Sequence, residues 1–422
     1  MKILYLYPFP LWGNGSGSFL RELTAELVKR NHQIAIVAPD KRKLPGVKHY
    51  VVNPPQNGVF VSHPEWPKAK KYFDMNGQEL GSIYTSYLKV SIDAVTDFNP
   101  EIIHVFHTSF LPGIARTLKV LFGIKFIITT HGSDLEYLAQ DKRFVGLIND
   151  ANRVARFITA VSEFTRNQYL NMFGENLKYK TKVIMGGVKI SNYKNSIQKI
   201  QQIDKKYGLK DKKVVLFTGR LNKNKGVQYL INAAPQIKNA TILIAGGGED
   251  KKRLEEIVKE KKIKNVILTG YIKSDESALF HAFYDRADIY VSPSVWDEPF
   301  GLTILEAMAA GKPVVATRKG GMVSVIKDGE NGFFVRASNS KEIAKKVNML
   351  LVDDQLRKKI AKNAYKTIID NFTWEKIATQ FEDIYAKFTY STAEYMERVK
   401  GARQNGNGLR ISVNKILRKP LK

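Results

Sequence analysis

Two kinds of hydrophobic pattern alternate along the chain. Short runs of β-branched and aliphatic residues predict buried strands, and segments whose apolar positions recur every three or four residues predict amphipathic helices. In the first half, these patterns predict strands at Lys2–Tyr7, Gln33–Ala38, Ile102–Phe106, Lys125–Thr129 and Phe157–Val161, and helices at Phe19–Lys29 and Ile114–Phe122. In the second half, they predict strands at Val214–Thr218, Thr241–Ala245, Val266–Thr269, Ile289–Val291 and Pro313–Ala316, and helices at Lys225–Ile237 and Leu302–Ala310.

This order of elements predicts two doubly wound α/β units. Buried strands that alternate with helices are typical of parallel sheets covered on both faces, and 422 residues are enough for two domains of roughly 200 residues each. Such Rossmann-like sheets bind ligands at the carboxyl ends of their strands, so two facing units would hold a ligand in the cleft between them. The predicted division is an N-terminal domain at 1–190, a polar linker at 191–212, a second domain at 213–372, a C-terminal helix at 373–397 and a basic tail at 398–422.

Composition narrows the class of protein. A hydrophobic content of 44% is that of a globular protein. The sequence has no run of ~20 uncharged apolar residues, so we expect no transmembrane helix. The first residues also lack the apolar core and cleavage site of a signal peptide. The chain has no cysteine, which excludes disulfides and thiolate metal sites and is compatible with a cytoplasmic protein.

The net charge of +27 indicates attraction to polyanions such as an anionic membrane surface or an anionic substrate. A lysine-rich composition of the source organism would produce the same charge. No nucleic-acid-binding motif is present, so nucleic acid is not an expected partner. The tail from Arg398 onward has eight Lys or Arg residues, no Asp or Glu, and several apolar residues. This pattern favours peripheral attachment to an anionic membrane, although a disordered tail would have a similar composition.

The most informative segment joins a buried strand to an apolar helix and carries two carboxylates, Glu298 and Glu306. The amides at a helix start have no intrahelical partner and attract anions, here next to Gly301. A carboxylate about one turn deeper can accept two hydrogen bonds from a vicinal diol such as a ribose. A phosphate site beside a diol acceptor is typical of a nucleotide site. The alternative is that Glu298 caps the helix and Glu306 is a solvated surface residue.

The segment resembles the E-x7-E signature of retaining glycosyltransferases with the GT-B fold, known as glycosyltransferase family 4 or glycosyl transferases group 1. The resemblance implies that Glu298 contacts hydroxyls of the donor sugar and that Glu306 holds the ribose. It also implies that Phe300, Gly301 and Leu302 shape the donor site.

Three further segments of the second half match the same family. The pattern G-R-x4-K-G contains Gly219, Arg220 and Lys225, and the resemblance implies that the two cations neutralise a diphosphate leaving group. A basic strand-to-helix loop without function would look similar in isolation. The resemblance also implies that a glycine loop and the segment after the next strand approach the nucleotide. Their residues are Gly247, Tyr271 and Ile272.

In the first half, the motif T-H-G-S-D at 130–134 places His131 at the carboxyl end of a predicted strand. In the resembling family this histidine lies near the anomeric carbon of the donor sugar. The loop before the first helix carries Gly15 and Gly17, whose family counterparts approach the diphosphate. His104 and His107 flank another strand end, where one of them could line the acceptor side and structural packing is an equal alternative for His104.

The chain departs from the family before the predicted linker, where the family often has an Asn-Gly-Val-Asp segment and this sequence reads Gly186-Gly187-Val188-Lys189.

The resemblance implies a hexosyltransferase that moves a sugar from a nucleoside diphosphate donor, such as a UDP- or GDP-sugar, to an acceptor hydroxyl with retention. The acceptor would be a glycan or a lipid-linked molecule, and the site would need neither a metal ion nor a cofactor. A GT-B-like nucleotide-sugar epimerase, a non-catalytic nucleotide-sugar-binding protein and a polyanion-binding protein are the alternatives. The sequence leaves the donor, the acceptor and the oligomeric state open.

Overall fold

The computed structural model describes residues 1–61, 63, 65–193 and 197–389. The strands are β1 Lys2–Leu6, β2 Gln33–Ala38, β3 Val47–Val51, β4 Gly58–Val59, β5 Lys70–Lys71, β6 Ile102–Phe106, β7 Lys125–Thr130, β8 Phe157–Ala160, β9 Thr181–Val183, β10 Lys213–Thr218, β11 Ala240–Ala245, β12 Val266–Gly270, β13 Ile289–Ser292, β14 Val314–Thr317 and β15 Phe333–Val335. The α-helices are α1 Gly15–Lys29, α2 Gly77–Phe98, α3 Leu111–Phe122, α4 Ser133–Gln140, α5 Val145–Val154, α6 Glu163–Phe173, α7 Ile197–Tyr207, α8 Val227–Ala233, α9 Lys251–Glu260, α10 Ser277–Arg286, α11 Leu302–Ala309, α12 Ser340–Val352, α13 Asp354–Asn371 and α14 Trp374–Thr389.

Two parallel sheets organise these elements. The first has seven strands in the order β3-β2-β1-β6-β7-β8-β9, and the second has six in the order β12-β11-β10-β13-β14-β15. In each sheet the strand order reverses direction beside the first strand, β1 or β10, which is the arrangement of a doubly wound Rossmann-like sheet. The central strands, such as β1, β6, β10 and β13, are buried along nearly their whole length, because helices cover both faces of each sheet. The predicted GT-B-type fold of two such sheets is confirmed.

The carboxyl ends of the two sheets face each other across a cleft. The loop after β7 meets the loop after β13, where Gly132 packs directly against Pro299. The carbonyl oxygen of Pro299 also accepts hydrogen bonds from Ser162 Oγ at 2.5 Å and Thr165 Oγ1 at 3.2 Å, at the start of α6. Loops from both sheets therefore converge on the same space.

Helix α14 lies on the N-terminal sheet and on α1. Arg30 at the end of α1 forms a 2.5 Å salt bridge with Glu382, and the rings of Phe19 and Trp374 lie edge to face with centroids 5.2 Å apart. The predicted basic tail at 398–422 lies outside the described residues, as does the end of the predicted C-terminal segment.

The predicted strands agree with the observed ones to within one residue at each end. Edge strands such as β3 and β15 were missed, because β3 is only half-buried and β15 has three residues. The segment expected to be a linker contains helix α7, which packs on α10 through the buried Ile203 and a 2.5 Å salt bridge from Arg286 to Asp204. The polar and basic residues of this segment indicated a linker, although Ile200, Ile203 and Tyr207 recur at helical spacing.

Candidate active site

Two helices begin at the cleft, and the first amides of a helix have no intrahelical partner. Helix α1 begins at Gly15, and the Asn14 side chain caps it by accepting from Gly17 N–H at 2.7 Å. A side chain at position 17 would collide with the Leu11 carbonyl oxygen. A Cβ at position 15 would lie 3.1 Å from Leu302 Cδ1, at the first residue of α11. The two helix starts are therefore close neighbours, and an anion between them would meet positive potential from both.

The loop before α11 is fixed by backbone contacts. Gly301 adopts a left-handed conformation with φ +89°, which glycine tolerates at little cost. Gly321 N–H donates to the Glu298 carbonyl oxygen at 2.7 Å, and Gly320 N–H donates to Asp297 Oδ1 at 2.9 Å. Glu298 is consequently held in a defined position with only 8% of its surface exposed.

Lys225 and Glu298 form an ion pair at the cleft. Lys225 Nζ lies 2.5 Å from Glu298 Oε1, which also accepts from Ser294 Oγ at 2.5 Å. Thr317 Oγ1 donates to the Ser294 carbonyl oxygen at 2.6 Å, and Asn222 caps the turn that carries Lys225. Within the described residues, no donor reaches Glu298 Oε2, which leaves that oxygen available to a hydroxyl of a ligand.

Glu306 lies on α11 and accepts a 2.6 Å hydrogen bond from the Tyr284 hydroxyl. That hydroxyl also lies 2.5 Å from Thr218 Oγ1 at the end of β10. Burial raises the pKa of Glu306 to about 7, and the hydrogen bond from Tyr284 opposes this rise. Near neutral pH, the protonated form of this carboxyl, which can donate a hydrogen bond, and the ionised form, which only accepts them, are both populated.

Arg220 follows β10 and is partly buried. Burial lowers the pKa of its guanidinium, while the nearby Glu249 and Tyr271 oppose this effect. Among the residues that the structure describes, it makes no hydrogen bond or salt bridge. A cation that is partly desolvated and unpaired is ready to bind an anion.

The glycines around Arg220 bring backbones into contact. Gly246 packs directly on the carbonyl oxygen of Gly219, and Gly247 lies where a Cβ would be 2.9 Å from Tyr271 Cβ. The Tyr271 hydroxyl donates to Glu65 Oε1 of the N-terminal domain at 2.6 Å, whereas Ile272 is half-buried. Tyr271 therefore spans one rim of the cleft.

His131 lies on the opposite side, after β7. Its ring packs edge to face on Phe19 and lies 4.6 Å, between centroids, from His107. The Nε2 atom is buried, and no hydrogen-bond partner for it exists in the described part of the chain. Burial lowers the pKa of His131 well below its ordinary value, with a smaller contribution from His107, so the ring is neutral near pH 7.

The loop of His131 is anchored by the buried carboxylate of Asp134, the last residue of the T-H-G-S-D motif, for which the sequence predicted no role. Asp134 accepts from the N–H groups of Thr108 at 2.6 Å and Gly132 at 2.7 Å, among others. Burial alone would raise its pKa, but interactions with His107 and with these donors hold the pKa well below the usual range. Asp134 is therefore ionised and stabilises the loop.

His104, within β6, and His107, directly after it, have different environments. His104 is fully buried between the Tyr385 hydroxyl, 2.7 Å from Nδ1, and Thr129 Oγ1, 2.6 Å from Nε2. His104 joins α14 to the first sheet, which fits the structural packing role that the sequence left open for it. His107 Nε2 instead lies 2.8 Å from Ser16 Oγ, in the first turn of α1.

The structure groups the predicted residues into neighbouring clusters. One cluster joins Glu298 to Lys225, and a second surrounds the α1 and α11 starts. In the second cluster, a Cβ at Gly186 would lie 3.0 Å from Phe300 and 3.5 Å from Leu302. The start of the segment in which this chain departs from the family therefore lies at the cleft. The partners Ser16, Tyr284 and Ser294 were not predicted and carry no motif of their own, whereas His107 was predicted only as a residue at a strand end.

Two properties concern the described residues as a whole. None of their helices combines the length and the apolar content needed to cross a membrane. The same residues contain no group of three or more His, Asp or Glu side chains that could hold a metal ion.

Comparisons with known proteins agree with this geometry. Residues 13–192 match the model of Glycosyltransferase Family 4, and residues 199–367 match that of Glycosyl transferases group 1. An uncharacterised glycosyltransferase of Methanocaldococcus jannaschii is 27% identical over 406 residues, which cover 91% of this chain and 96% of the relative. The N-acetyl-alpha-D-glucosaminyl L-malate synthase of Bacillus anthracis is 26% identical over 384 residues, covering 88% and 93% of the two chains.

Among solved structures, HepE from Anabaena in complex with UDP and glucose superposes with a TM-score of 0.72 at 23% identity, covering 92% of this chain and 99% of HepE. The fold, the two domain matches and the relatives agree with one another, and the chain belongs to the GT-B glycosyltransferases with family 4 and group 1 domains.

Proposed function

We propose that this protein is a retaining hexosyltransferase that moves a sugar from a nucleoside diphosphate sugar to an acceptor hydroxyl. The observation that carries the proposal is a set of groups around one cleft: Arg220, which pairs with none of the described residues, the Lys225–Glu298 ion pair and the neighbouring starts of α1 and α11. A diphosphate is the ligand that such a set of cations and free amides fits.

The donor would lie mainly against the second domain. We infer that Glu306 accepts hydrogen bonds from the ribose hydroxyls, and that the base lies beside Gly247, Tyr271 and Ile272. UDP is the first nucleotide to test, because HepE, which has the same fold, was solved with UDP and glucose. Arg220 and Lys225 would then flank the diphosphate, assisted by the amides next to Gly15 and Gly301.

In the proposed reaction, the bond from the anomeric carbon to the diphosphate oxygen breaks while a bond to the acceptor oxygen forms on the same face. The acceptor proton passes to the departing phosphate oxygen. Negative charge grows on the diphosphate, and Arg220 and Lys225 stabilise it without a metal ion or cofactor. Lys225 would exchange Glu298 for the phosphate, which frees the carboxylate for sugar hydroxyls. Neutral His131 would hydrogen-bond a hydroxyl of the sugar.

The acceptor belongs to the N-terminal side of the cleft. We propose a glycan or lipid-linked acceptor and a cytoplasmic protein attached to the inner membrane surface through the basic tail. The tail lies outside the described residues, so the support for attachment is its composition alone. Flotation of the full chain with anionic liposomes tests this proposal, and failure to bind at low salt would remove it.

NMR of the protein with a panel of UDP-, GDP- and ADP-sugars tests the function. Release of a nucleoside diphosphate and an α-configured product from an α-configured donor would support retaining transfer. Conversion of the donor into another nucleotide sugar without release would instead show an epimerase. Binding in thermal-shift assays, with neither reaction in the presence of glycan and lipid-linked acceptors, would favour a non-catalytic binding protein.

A further inference from the structure

Hydrogen bonds connect the first turn of α1 to His107, which directly follows β6. Ser16 Oγ lies 2.8 Å from His107 Nε2, 2.8 Å from the Tyr7 hydroxyl and 2.9 Å from Asn14 Oδ1. Asn14 Oδ1 also accepts from the Tyr7 hydroxyl at 2.7 Å and from Gly17 N–H. His107 therefore contacts the network that determines where the first turn of α1 begins.

The opposite edge of the His107 ring faces the loop of His131. Its Nδ1 lies 3.7 Å from Asp134 Oδ2, and this buried nitrogen makes no hydrogen bond with the described residues. Asp134 is the carboxylate that accepts from the N–H groups of His131 and Gly132. One imidazole thus lies between two loops that the proposed function assigns to the donor.

The backbone of His107 is held in an unfavourable conformation. Its φ of +72° lies in the left-handed region, which costs a non-glycine residue on the order of 1–2 kcal/mol. A hydrogen bond from His107 N–H to the Thr129 carbonyl oxygen, at 2.8 Å, fixes this geometry. The fold therefore retains the ring in this position against a backbone penalty.

The direction of the hydrogen bond between Ser16 and His107 depends on the tautomer of the ring: either Nε2–H donates to Ser16 Oγ, or an unprotonated Nε2 accepts the Ser16 proton. A glutamine side chain reaches about as far as Nε2, and its amide can donate or accept. Glutamine can therefore reproduce the contact in either case, whereas the shorter asparagine cannot.

We propose that His107 is a positioning residue of the donor site, which sets the start of α1 and the His131 loop relative to each other through Ser16 and Asp134. The inference rests on the proposed function, because it assumes that the diphosphate binds at the α1 start. His107 itself is 1% exposed, so it acts on the ligand only through its neighbours. Its loss misplaces the amides that bind the diphosphate and weakens nucleotide binding.

A double-mutant cycle with UDP, or with whichever nucleoside diphosphate the wild type binds, tests this proposal. The variants are H107N, which suits the left-handed backbone, S16A and the combination of the two. We expect each single variant to weaken binding roughly 10-fold and the double variant to be no weaker than either, because both remove the same link. We expect H107Q, which retains a hydrogen-bonding group at the reach of Nε2, to bind within about 3-fold of the wild type.

Three results would overturn the inference: single effects that multiply to roughly 100-fold in the double variant, binding by H107N equal to the wild type, or H107Q as weak as H107N. Melting temperatures of all four variants separate a folding defect from a binding defect, since a structural role alone would not produce glutamine rescue. If the wild type binds no nucleotide or nucleotide sugar, the proposed function fails together with this inference. If the wild type binds and the variants match it, this inference alone fails.

Discussion

Lys225 Nζ and Glu298 Oε1 lie 2.5 Å apart, so two residues with separate expected roles are direct partners. Such a pair orients both groups before a ligand arrives. Each is mostly buried, and removal of one partner leaves the other charge poorly solvated. A diphosphate that attracts Lys225 would therefore release Glu298 at the moment when the sugar needs an acceptor of hydrogen bonds.

Replacement of Glu298 by glutamine separates nucleotide binding from sugar transfer. Glutamine removes the negative charge that competes for Lys225, so we expect E298Q to bind the nucleoside diphosphate at least as tightly as the wild type. We expect its turnover to fall by roughly 10²–10³, because the sugar loses an anionic acceptor. Calorimetric affinity and steady-state turnover measure the two effects. An equal loss in both quantities would contradict this division of roles.

Nucleotide affinity should rise with pH because of Glu306. The pKa of this carboxyl is raised to about 7 by burial, and only its ionised form accepts two hydrogen bonds from a ribose. We expect UDP to bind more tightly at pH 8 than at pH 6 and to release a proton from the protein near pH 7. Titrations in buffers of different ionisation enthalpy measure that proton. The E306Q variant should bind weakly with little pH dependence, and an unchanged pH dependence would argue against Glu306 as the source.

The same carboxyl should lower stability as pH rises. Its pKa is about 7 in the folded protein and 4.5 for an ordinary glutamate, so between these values the folded state binds more protons. Its contribution is fully present below pH 4.5 and is lost as pH rises through 7, at a cost of at most about 3 kcal/mol. Urea unfolding of wild type and E306Q at several pH values measures the difference. E306Q should gain relative stability above pH 7, and parallel curves would contradict the expectation.

Tyr284 provides a matched test of the environment of Glu306. Its hydroxyl donates to Glu306 Oε2 at 2.6 Å and lowers the pKa of that carboxyl. Y284F should move the rise in nucleotide affinity to higher pH and weaken binding at pH 7 by roughly 10-fold or more, because a hydrogen bond to a charged group contributes about 1.5–3 kcal/mol. Y290F is the control, because the Tyr290 hydroxyl bonds to Thr218 instead. Equal pH shifts in both variants would indicate a general packing effect.

Tyr385 should matter for stability and not for nucleotide binding. Its hydroxyl lies 2.7 Å from His104 Nδ1, and both residues are buried between α14 and the first sheet. Y385F leaves that nitrogen without a partner and should lower the free energy of unfolding by about 1–3 kcal/mol. Urea denaturation measures the loss, with Y179F as the control, because Tyr179 is 80% exposed. A larger loss of UDP affinity in Y385F than in Y179F would show that the contact between Tyr385 and His104 also supports nucleotide binding, which we do not expect.

The central strands were predictable because they are short, β-branched and buried on both faces. Val214–Thr218, for example, could only be a buried strand between polar segments, and the structure begins it one residue earlier. Strand β3 was not predictable, since Lys48 and His49 interrupt its apolar pattern at the exposed edge of the sheet. Helix α7 was missed because its polar and basic composition indicated a linker, although Ile200, Ile203 and Tyr207 recur at helical spacing and form a narrow apolar face.

The site was predictable only where function is encoded in contiguous motifs. Glu298 and Glu306 lie in one segment and could be found from spacing and resemblance. Tyr284, by contrast, reaches Glu306 from the preceding helix, and nothing in the local sequence indicates that contact. The same holds for His107, whose partners lie 91 residues before it and in the next strand-end loop. Contacts made by folding of distant segments have no sequence period to indicate them.

The most direct test of the account compares two lysines of one turn. Lys225 pairs with Glu298 in the cleft, whereas Lys223 lies two positions earlier and is exposed. With the nucleotide sugar that the wild type uses, nucleoside diphosphate release by K225M and K223M should be measured side by side. The account predicts a roughly 10²–10³-fold slower release by K225M and a wild-type rate for K223M. Release by K225M at the wild-type rate would contradict the claim that Lys225 stabilises the departing diphosphate.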